Sequence, residues 1–275
     1  MTMPLSALAA PVDLIAAAGA ARDSLINHPP TLLPPLSMMR TIGSQTQDHY
    51  LANMREYMYD LVVQAKLGPG SRVLDIGSGC GRVATAFTRY LDDTGEYLGI
   101  DVWDEGVRWC IDHITTARPG FRFRRVDAAN NYYYAPDSGT GNEFGLSFIP
   151  RDHFDCIFAL SVFTHLKLPD ARQYLELIAR SLAPGGTAYL TFFVIDEHVR
   201  RFVERTGQHT AVAPAGDGMW YAYEFQDFFS GYEEALLLAQ FEEFGLEVVS
   251  CSRGSWAEKP GARLYQDWFL LQRAR

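Results

Sequence analysis

Cysteine is scarce in this sequence, and its few thiols are not arranged for disulfide or metal chemistry. The 275 residues include four cysteines, Cys80, Cys110, Cys156 and Cys251, which lie far apart and form no CxxC pair. Disulfide scaffolds and zinc sites use closely spaced cysteines, so neither class is favoured here. We therefore expect small apolar side chains that stay reduced, no bound metal, and a cytoplasmic location.

Long apolar runs are also missing. No segment approaches the roughly 18 continuous apolar residues that a membrane-spanning helix requires. The alanine-rich N-terminal segment has no basic residue ahead of its apolar stretch, and Pro11 and Asp13 interrupt that stretch. It therefore lacks the pattern of a signal peptide. We expect no interaction with a membrane.

Positive charge is low and dispersed. Lys and Arg number 24 against 33 for Asp and Glu, which gives a net charge of −9. Binding to nucleic acid depends on cations at phosphates, and the one local basic group is Arg122, Arg124 and Arg125. This balance argues against a nucleic-acid partner and favours a small molecule. Hydrophobic residues make up 48% of the chain, enough for a sizeable core.

Short β-rich runs alternate with helical patterns through the middle of the chain, which predicts βαβ units and a parallel sheet. The predicted strands are residues 72–76, 97–100, 121–126, 154–159, 187–193, 247–251 and 268–271. The predicted helices are residues 48–65, 82–91, 105–116, 169–182 and 232–244. The last two strands are expected to pair with each other.

We predict two parts for the chain. Residues 1–66 form an N-terminal arm and helices that cover the site, and residues 67–275 form the main domain. Two long insertions, residues 128–152 and 207–227, do not fit the alternation of strands and helices. Structureless stretches of this length are usually functional lids or disordered segments, so we expect these two to act as lids.

The strongest local signal is VLDIGSGCGR at residues 73–82. An apolar strand ends in Asp75, and a glycine-rich turn then opens a helix whose free N–H groups face the same crevice. The glycines follow G-x-G-x-G, whereas a dinucleotide-binding turn follows G-x-G-x-x-G. An acid just before Gly77 also suits a ligand ammonium better than a pyrophosphate. Asp101 ends the next strand. An acidic residue about 20 residues beyond a nucleotide-binding glycine turn typically accepts hydrogen bonds from ribose hydroxyls.

The run resembles motif I of the class I S-adenosylmethionine-dependent methyltransferases. The resemblance covers about residues 40–270 and is closest to a bacterial subgroup with the segment SVFTHL, which often accompanies glycan or secondary-metabolite biosynthesis. It implies a Rossmann-like α/β fold: a mostly parallel seven-stranded sheet with helices on both faces and an antiparallel C-terminal strand pair. It also implies S-adenosylmethionine as cofactor. The residues it assigns to cofactor binding are Asp75, Gly77, Gly79, Asp101, Val102, Asp127, Ala128 and Leu160.

The fourth strand and the turn after it bear on the reaction. The strand ends in ALSV at residues 159–162, without the N/D-P-P-Y/F segment of enzymes that methylate amino groups of nucleobases or glutamine amides, and without a Pro-Cys nucleophile. Histidine is the usual base for deprotonating a hydroxyl, so His165 is the candidate catalytic residue, with a turn-capping role as the alternative. Asp196, Glu197 and His198 could bind a metal, but we favour the alternative that these three residues form the polar start of a helix.

Aromatic residues in the two insertions are the candidates for contact with the acceptor. They are Tyr132 and Tyr133 in the first insertion, and Trp220 and Tyr221 in the second. Such rings stack on sugars or planar groups, or they simply pack a lid onto the body.

Three functions remain open at this point. The first choice is O-methylation of a hydroxyl on a sugar or glycosylated metabolite. The alternatives are an O- or N-methyltransferase of a non-sugar small molecule, and a non-catalytic partner protein that binds S-adenosylmethionine.

Overall fold

The main body is a seven-stranded sheet with helices on both faces. The structure is a computed structural model that describes residues 32–126, 146–207, 213–224, 227–258, 262 and 264–274. Five strands of the main sheet are β1 Arg72–Ile76, β2 Glu96–Asp101, β3 Phe121–Arg125, β4 Phe154–Ala159 and β5 Leu182–Phe192. The last two, β10 Leu246–Ser252 and β11 Asp267–Arg273, follow a smaller sheet described below.

The strand order is β10-β11-β5-β4-β1-β2-β3. The strands from β5 to β3 are parallel, while β11 pairs antiparallel with both β5 and β10. The predicted fold class is therefore confirmed, including the C-terminal strand pair. The predicted strands at residues 72–76 and 154–159 begin and end at the same residues as β1 and β4. Strand β5 begins earlier than predicted, at Leu182.

The helices before and between these strands agree with most of the sequence predictions. They are α1 Leu36–Thr41, α2 Gln47–Val63, α3 Arg82–Phe87, α4 Asp104–Trp109, α5 Leu168–Ser181, α6 Glu197–Thr206 and α7 Glu234–Glu243. A π-helix, Cys110–Thr115, continues α4, so the predicted helix at residues 105–116 changes its hydrogen-bond pattern midway. For helix α6 the sequence predicted only the polar start at Asp196, Glu197 and His198. Among the described helices, none is long and apolar enough to cross a membrane.

Alternation along each strand divides the core between the two faces of the sheet. In β1, Val73 joins one apolar cluster and Leu74 joins the other. Helices α2 and α3 cover the first face, where Phe87 is buried, and helices α5 and α7 cover the second through Ile178 and Phe241. Side chains of a strand alternate between faces with a period of two, so this pattern orients every strand in the sheet.

A second, four-stranded sheet lies where a structureless lid was expected. Its strands are β6 Val194–Ile195, β7 Ala213–Gly216, β8 Met219–Glu224 and β9 Asp227–Glu233, in the order β6-β9-β8-β7. The prediction that residues 207–227 lack regular structure is therefore wrong over the described strands. Asp217 and Gly218 form the β7–β8 turn with φ values of +55° and +74°. Asp-Gly with both φ angles positive is a typical hairpin signal, and it was present in the sequence.

The structure describes only parts of the predicted N-terminal arm and of the first insertion. Residues 1–31 and 127–145 lie outside the described part. From Leu146 onward the first insertion is packed against the body, since the Arg180 guanidinium donates to the carbonyls of Leu146 and Ile149 at 3.0 and 3.1 Å. The predicted helix at 48–65 is α2, and the Thr46 side chain caps it by accepting from the N–H of His49 at 3.1 Å.

A buried carboxylate joins three separate segments at the start of β11. Asp267 is fully buried and accepts hydrogen bonds from the N–H groups of Val194 and Gly254 at 2.7 and 2.9 Å. It also accepts from the indole N–H of Trp256 at 2.8 Å. A buried charge is stable only when it is well hydrogen-bonded, and these donors supply that condition. Asp267 therefore fixes the start of β6 and the loop before β11 relative to each other.

Replacing Asp267 with alanine should destabilise the fold strongly. The change leaves three buried donors without their charged acceptor, and each such loss costs about 1–3 kcal/mol. We expect the free energy of unfolding in urea to fall by roughly 3 kcal/mol or more. Asp93→Ala is the control, because the Asp93 side chain is fully exposed and should leave the unfolding midpoint unchanged. Equal midpoints for the two variants would contradict this role of Asp267.

Candidate active site

The glycine-rich turn after β1 has a backbone that only glycine fits well. Gly77 and Gly79 have φ values of +81° and +54°, in the region that L side chains rarely adopt. A Cβ atom on Gly77 would lie 2.3 Å from the Cγ2 atom of Val162. The Ile100 carbonyl, at the end of β2, accepts from the N–H groups of Gly77 and Ser78 at 2.8 and 3.1 Å. The turn is thereby attached to the neighbouring strand.

Asp101, the last residue of β2, shapes the same turn. Its Oδ2 atom accepts from the Gly79 N–H at 2.6 Å, and its Oδ1 atom accepts from the Trp103 N–H at 2.8 Å. Burial raises the pKa of this carboxyl, and the backbone N–H groups oppose that rise by stabilising the charged form. A carboxylate accepts about four hydrogen bonds, so these contacts leave capacity for a ligand hydroxyl.

Asp75, at the opposite side of the turn, is buried and 3% exposed. Its Oδ2 atom accepts from the Tyr97 hydroxyl at 2.5 Å. Burial, together with the nearby charge of Asp101, raises the pKa of Asp75 to about 7, while the hydrogen bond from Tyr97 and the charge of Arg82 oppose the rise. A cation bound beside Asp75 would stabilise its ionised form and so lower the pKa of this carboxyl again.

These groups face a cavity of about 510 Å³ at the carboxyl edge of the parallel strands. Open α/β sheets bind ligands at this edge, and the volume is that of a small-molecule site. Six of the predicted cofactor residues line the cavity, namely Asp75, Gly77, Gly79, Asp101, Val102 and Leu160. The other two, Asp127 and Ala128, lie outside the described residues.

His165 also lines this cavity. It ends a short 3-10 turn, Phe163–His165, that follows β4, and its N–H donates to the Val162 carbonyl at 2.9 Å. The buried Tyr232 hydroxyl lies 2.9 and 3.1 Å from the carbonyls of Phe163 and Leu166, to which it can donate. The backbone that presents His165 is therefore fixed from the second sheet.

The predicted acceptor residues of the second insertion do not line the cavity. The Trp220 indole N–H donates to Glu233 at 3.1 Å, and the Arg200 guanidinium lies 5.7 Å from the Trp220 ring centre. Tyr221 packs against the core on the second face of the sheet. The two rings were expected at the acceptor because the second insertion was treated as a lid, whereas β8 is part of a sheet. Tyr132 and Tyr133 lie outside the described residues.

Phe193 and Phe229 supply aromatic surface to the cavity instead. Their rings stack with centroids 4.3 Å apart, and Trp256 packs against Phe193 at 4.9 Å. Phe193 follows β5, and Phe229 lies in β9 of the second sheet. The two residues are far apart in the sequence and share no motif, so no local signal could have paired them.

Sequence reasoning also missed two polar residues of the cavity, Arg82 and Gln266. Arg82 begins α3, where its guanidinium lies 5.6 Å from the Tyr57 ring centre and 3.3 Å from the Ser44 hydroxyl. It is the last residue of the quoted glycine motif, so position alone could have identified it. Gln266 immediately precedes β11 and carries no motif.

The polar group after β6 begins a helix. The Asp196 side chain accepts from the Val199 N–H at 2.9 Å and caps α6, and Nε2 of His198 lies 2.9 Å from the carbonyl of Ala257. These contacts agree with the interpretation of Asp196, Glu197 and His198 as a polar helix start.

Comparison with known proteins gives a family for the chain. Residues 50–251 match the family described as "Methyltransferase domain". An arsenite methyltransferase of Aquipseudomonas alcaligenes is 26% identical over 230 residues, which cover 82% of this chain and 61% of that protein. The chain thus spans less than two thirds of the length of this relative.

Solved structures show the same fold at low identity. A SAM-dependent methyltransferase of Methanosarcina mazei is 18% identical, with a TM-score of 0.53, and the match covers 78% of this chain and 97% of that one. The 1,6-didemethyltoxoflavin-N1-methyltransferase of Burkholderia thailandensis, solved with its substrate and S-adenosylhomocysteine, is 18% identical with a TM-score of 0.53, covering 100% and 94%. Because the family match spans residues 50–251, most of the chain, the chain belongs to the methyltransferase-domain family, with S-adenosylmethionine as the cofactor of its class.

Proposed function

We propose that this chain transfers a methyl group from S-adenosylmethionine to a hydroxyl of a sugar or glycosylated metabolite. The observation that carries the proposal is a single cavity that joins the acidic glycine-rich turn to His165 and to the stacked rings of Phe193 and Phe229. Such a cavity provides a cofactor side and an acceptor side at the same edge of the sheet. The proposal keeps the resemblance to the bacterial subgroup with the segment SVFTHL, which contributes His165.

The residues on the cofactor side fit S-adenosylmethionine in charge and shape. Asp75 is buried beside the turn and would hold the ammonium, and the Arg82 guanidinium would hold the carboxylate of the methionine part. Asp101 would accept from the ribose hydroxyls. Val102 and Leu160 would flank the adenine, and Asp127 and Ala128 keep their proposed roles at its polar edge.

When bound, S-adenosylmethionine supplies a methyl group on a positively charged sulfur. The acceptor oxygen forms the new C–O bond as the C–S bond breaks, and the bonding pair stays on sulfur. The protein must hold the hydroxyl in line and receive its proton. In this proposal His165 receives the hydroxyl proton. The rings of Phe193 and Phe229 pack against the apolar face of the acceptor.

Several other features favour an oxygen acceptor on a small molecule. All four cysteines lie outside the cavity wall, and burial raises the pKa of Cys80 to about 12. A thiophilic acceptor such as a metalloid would need accessible thiolates, so arsenite is not the proposed substrate. The acidic charge of the chain opposes a nucleic-acid acceptor. We further propose that the first insertion, residues 128–152, closes over the acceptor.

A screen for S-adenosylhomocysteine release tests the proposed function. The acceptors are sugars, glycosides, phenols and amines, each assayed at saturating S-adenosylmethionine, and cofactor binding is measured separately by calorimetry. Turnover with sugar or glycoside hydroxyls supports the proposal. Turnover with amines alone would favour an N-methyltransferase, and binding without turnover would favour a non-catalytic cofactor-binding protein.

Replacing His165 with glutamine should slow turnover by about 10²–10⁴-fold while S-adenosylhomocysteine affinity stays near that of the wild type. An amide can position a hydroxyl but cannot take its proton. His153→Gln is the matched control, since His153 lies outside the cavity and contacts Glu96 at 2.9 Å. Near-wild-type turnover in the His165 variant would make this residue part of the turn structure only.

Cofactor affinity should depend on pH through Asp75. With a pKa of about 7, this carboxyl is mostly protonated at pH 6 and mostly ionised at pH 8. A protonated acid does not attract an ammonium, so the affinity for S-adenosylhomocysteine should rise roughly tenfold between these pH values. Tyr97→Phe removes a hydrogen bond that lowers the pKa of Asp75, so the midpoint of the rise should move to higher pH.

The matched control for this titration is Tyr90→Phe. The Tyr90 hydroxyl donates to the Leu67 carbonyl at 2.6 Å, away from Asp75. Its loss should leave the midpoint where the wild type has it. If Tyr97→Phe shows the wild-type midpoint as well, Asp75 does not control cofactor affinity in this range.

A further inference from the structure

Gln266 lines the cavity from a segment that lies far in sequence from the glycine-rich turn. It precedes β11, whose first residue, Asp267, pairs with Phe192 at the end of β5. This antiparallel pairing brings the start of β11 to the carboxyl edge of the parallel strands, where the cavity lies. Gln266 is 9% exposed and lines the cavity together with Ser161 and His165.

The side-chain amide of Gln266 is held at its oxygen. The Ser161 hydroxyl donates to Oε1 at 3.1 Å, and the Ser161 N–H in turn donates to the Thr191 hydroxyl at 2.8 Å. Ser161 has a φ of +59°, which is unusual for a residue other than glycine and is found most often at functional sites. The Thr191 contact therefore holds Ser161 in a strained conformation that lets it reach Gln266.

The nitrogen of the Gln266 amide, Nε2, is available to donate a hydrogen bond to a ligand. In the described part of the chain, Nε2 of Gln266 makes no hydrogen bond, although the residue is nearly buried. The backbone beside it is rigid, because Asp267 is fixed by three donors, two of them the N–H groups of Val194 and Gly254. An amide N–H₂ held at its oxygen and left without a partner is a preorganised donor for a ligand.

We propose that Gln266 binds the acceptor atom and selects a hydroxyl over an amine. The inference rests on the proposed function and specifies which acceptor atom the site takes. A hydroxyl oxygen has two lone pairs. One forms the bond to the methyl carbon as the C–S bond breaks, the other accepts from Nε2 of Gln266, and the O–H proton passes to His165.

An amine cannot make the same set of contacts. A neutral amine nitrogen has one lone pair, and that pair must point at the methyl group during the transfer. Its N–H groups would then face the N–H₂ of Gln266, which leaves donors on both sides without acceptors. Sites built to hydrogen-bond one group reject an analogue that lacks the matching atom, because their buried polar groups stay unpaired.

The test replaces Gln266 with glutamate, which has nearly the same shape. One carboxylate oxygen still accepts from Ser161, but the other now accepts and can no longer donate. The matched control is Gln272→Glu on β11, the strand that follows Gln266, where Gln272 donates to the Gly185 carbonyl at 3.2 Å outside the cavity. The probes are glucose with glucosamine and catechol with 1,2-phenylenediamine. The methylated atom of each product is identified by NMR.

Two measurements are made on each variant. The first is the ratio of kcat/KM for hydroxyl and amino methylation, and the second is calorimetric binding of each probe to the protein loaded with S-adenosylhomocysteine. We expect the wild type and Gln272→Glu to favour the hydroxyl. In Gln266→Glu the ratio should fall by about tenfold or more, with weaker binding of the hydroxyl probes and unchanged affinity for S-adenosylhomocysteine.

The outcomes separate this inference from the proposed function. Hydroxyl methylation with the same ratio in Gln266→Glu and in the control would overturn the role of Gln266 and leave the proposed function standing. A wild-type preference for the amino probes would also overturn the inference. If no probe binds or is methylated, the proposed function fails for these acceptor classes, and the inference fails with it.

Discussion

The hydrogen bonds between the end of β2 and the glycine-rich turn are the contact on which the site depends. The Ile100 carbonyl and the Asp101 carboxylate together accept from the N–H groups of Gly77, Ser78 and Gly79. These bonds require the turn to approach β2 closely, and the positive φ angles of its glycines permit that approach. Asp101 therefore has a structural role in addition to its proposed contact with the cofactor. The two roles are compatible because a carboxylate has several acceptor positions.

A second buried carboxylate organises the acceptor side. Asp267, the first residue of β11, accepts hydrogen bonds from the start of β6 and from the loop before β11. Phe193 and Gln266 are the sequence neighbours of Val194 and Asp267, so the same contacts position an aromatic wall and a polar donor. The cofactor side is thus built from consecutive βα turns, and the acceptor side is built from segments of both sheets that lie far apart in the sequence.

Much of the fold could be predicted because hydrophobic alternation and glycine spacing are local properties. The strands of the main sheet and the C-terminal pair lie where the sequence placed them, and six residues predicted to bind the cofactor, including Asp75 and Asp101, line the cavity. The β7–β8 hairpin was missed even though Asp217 and Gly218 carry its turn signal. The flanking strands are short, so an aromatic, glycine-rich stretch was interpreted as a lid. Trp220 was consequently expected at the acceptor, whereas it contacts Glu233.

The sequence by itself determined the glycine-rich turn, the acids at the strand ends and the position of His165 after β4. Each of these follows from residues close together in the chain, whose conformations depend on local sterics and hydrogen bonding. The tertiary structure alone decided that Phe229 and Gln266 share the cavity with His165. Those residues come from different sheets and a distant strand. The position of Gln266 depends on how β11 pairs with β5, and that of Phe229 depends on how β9 pairs with β6. Such long-range pairing is fixed by packing of the whole core, which no local pattern encodes.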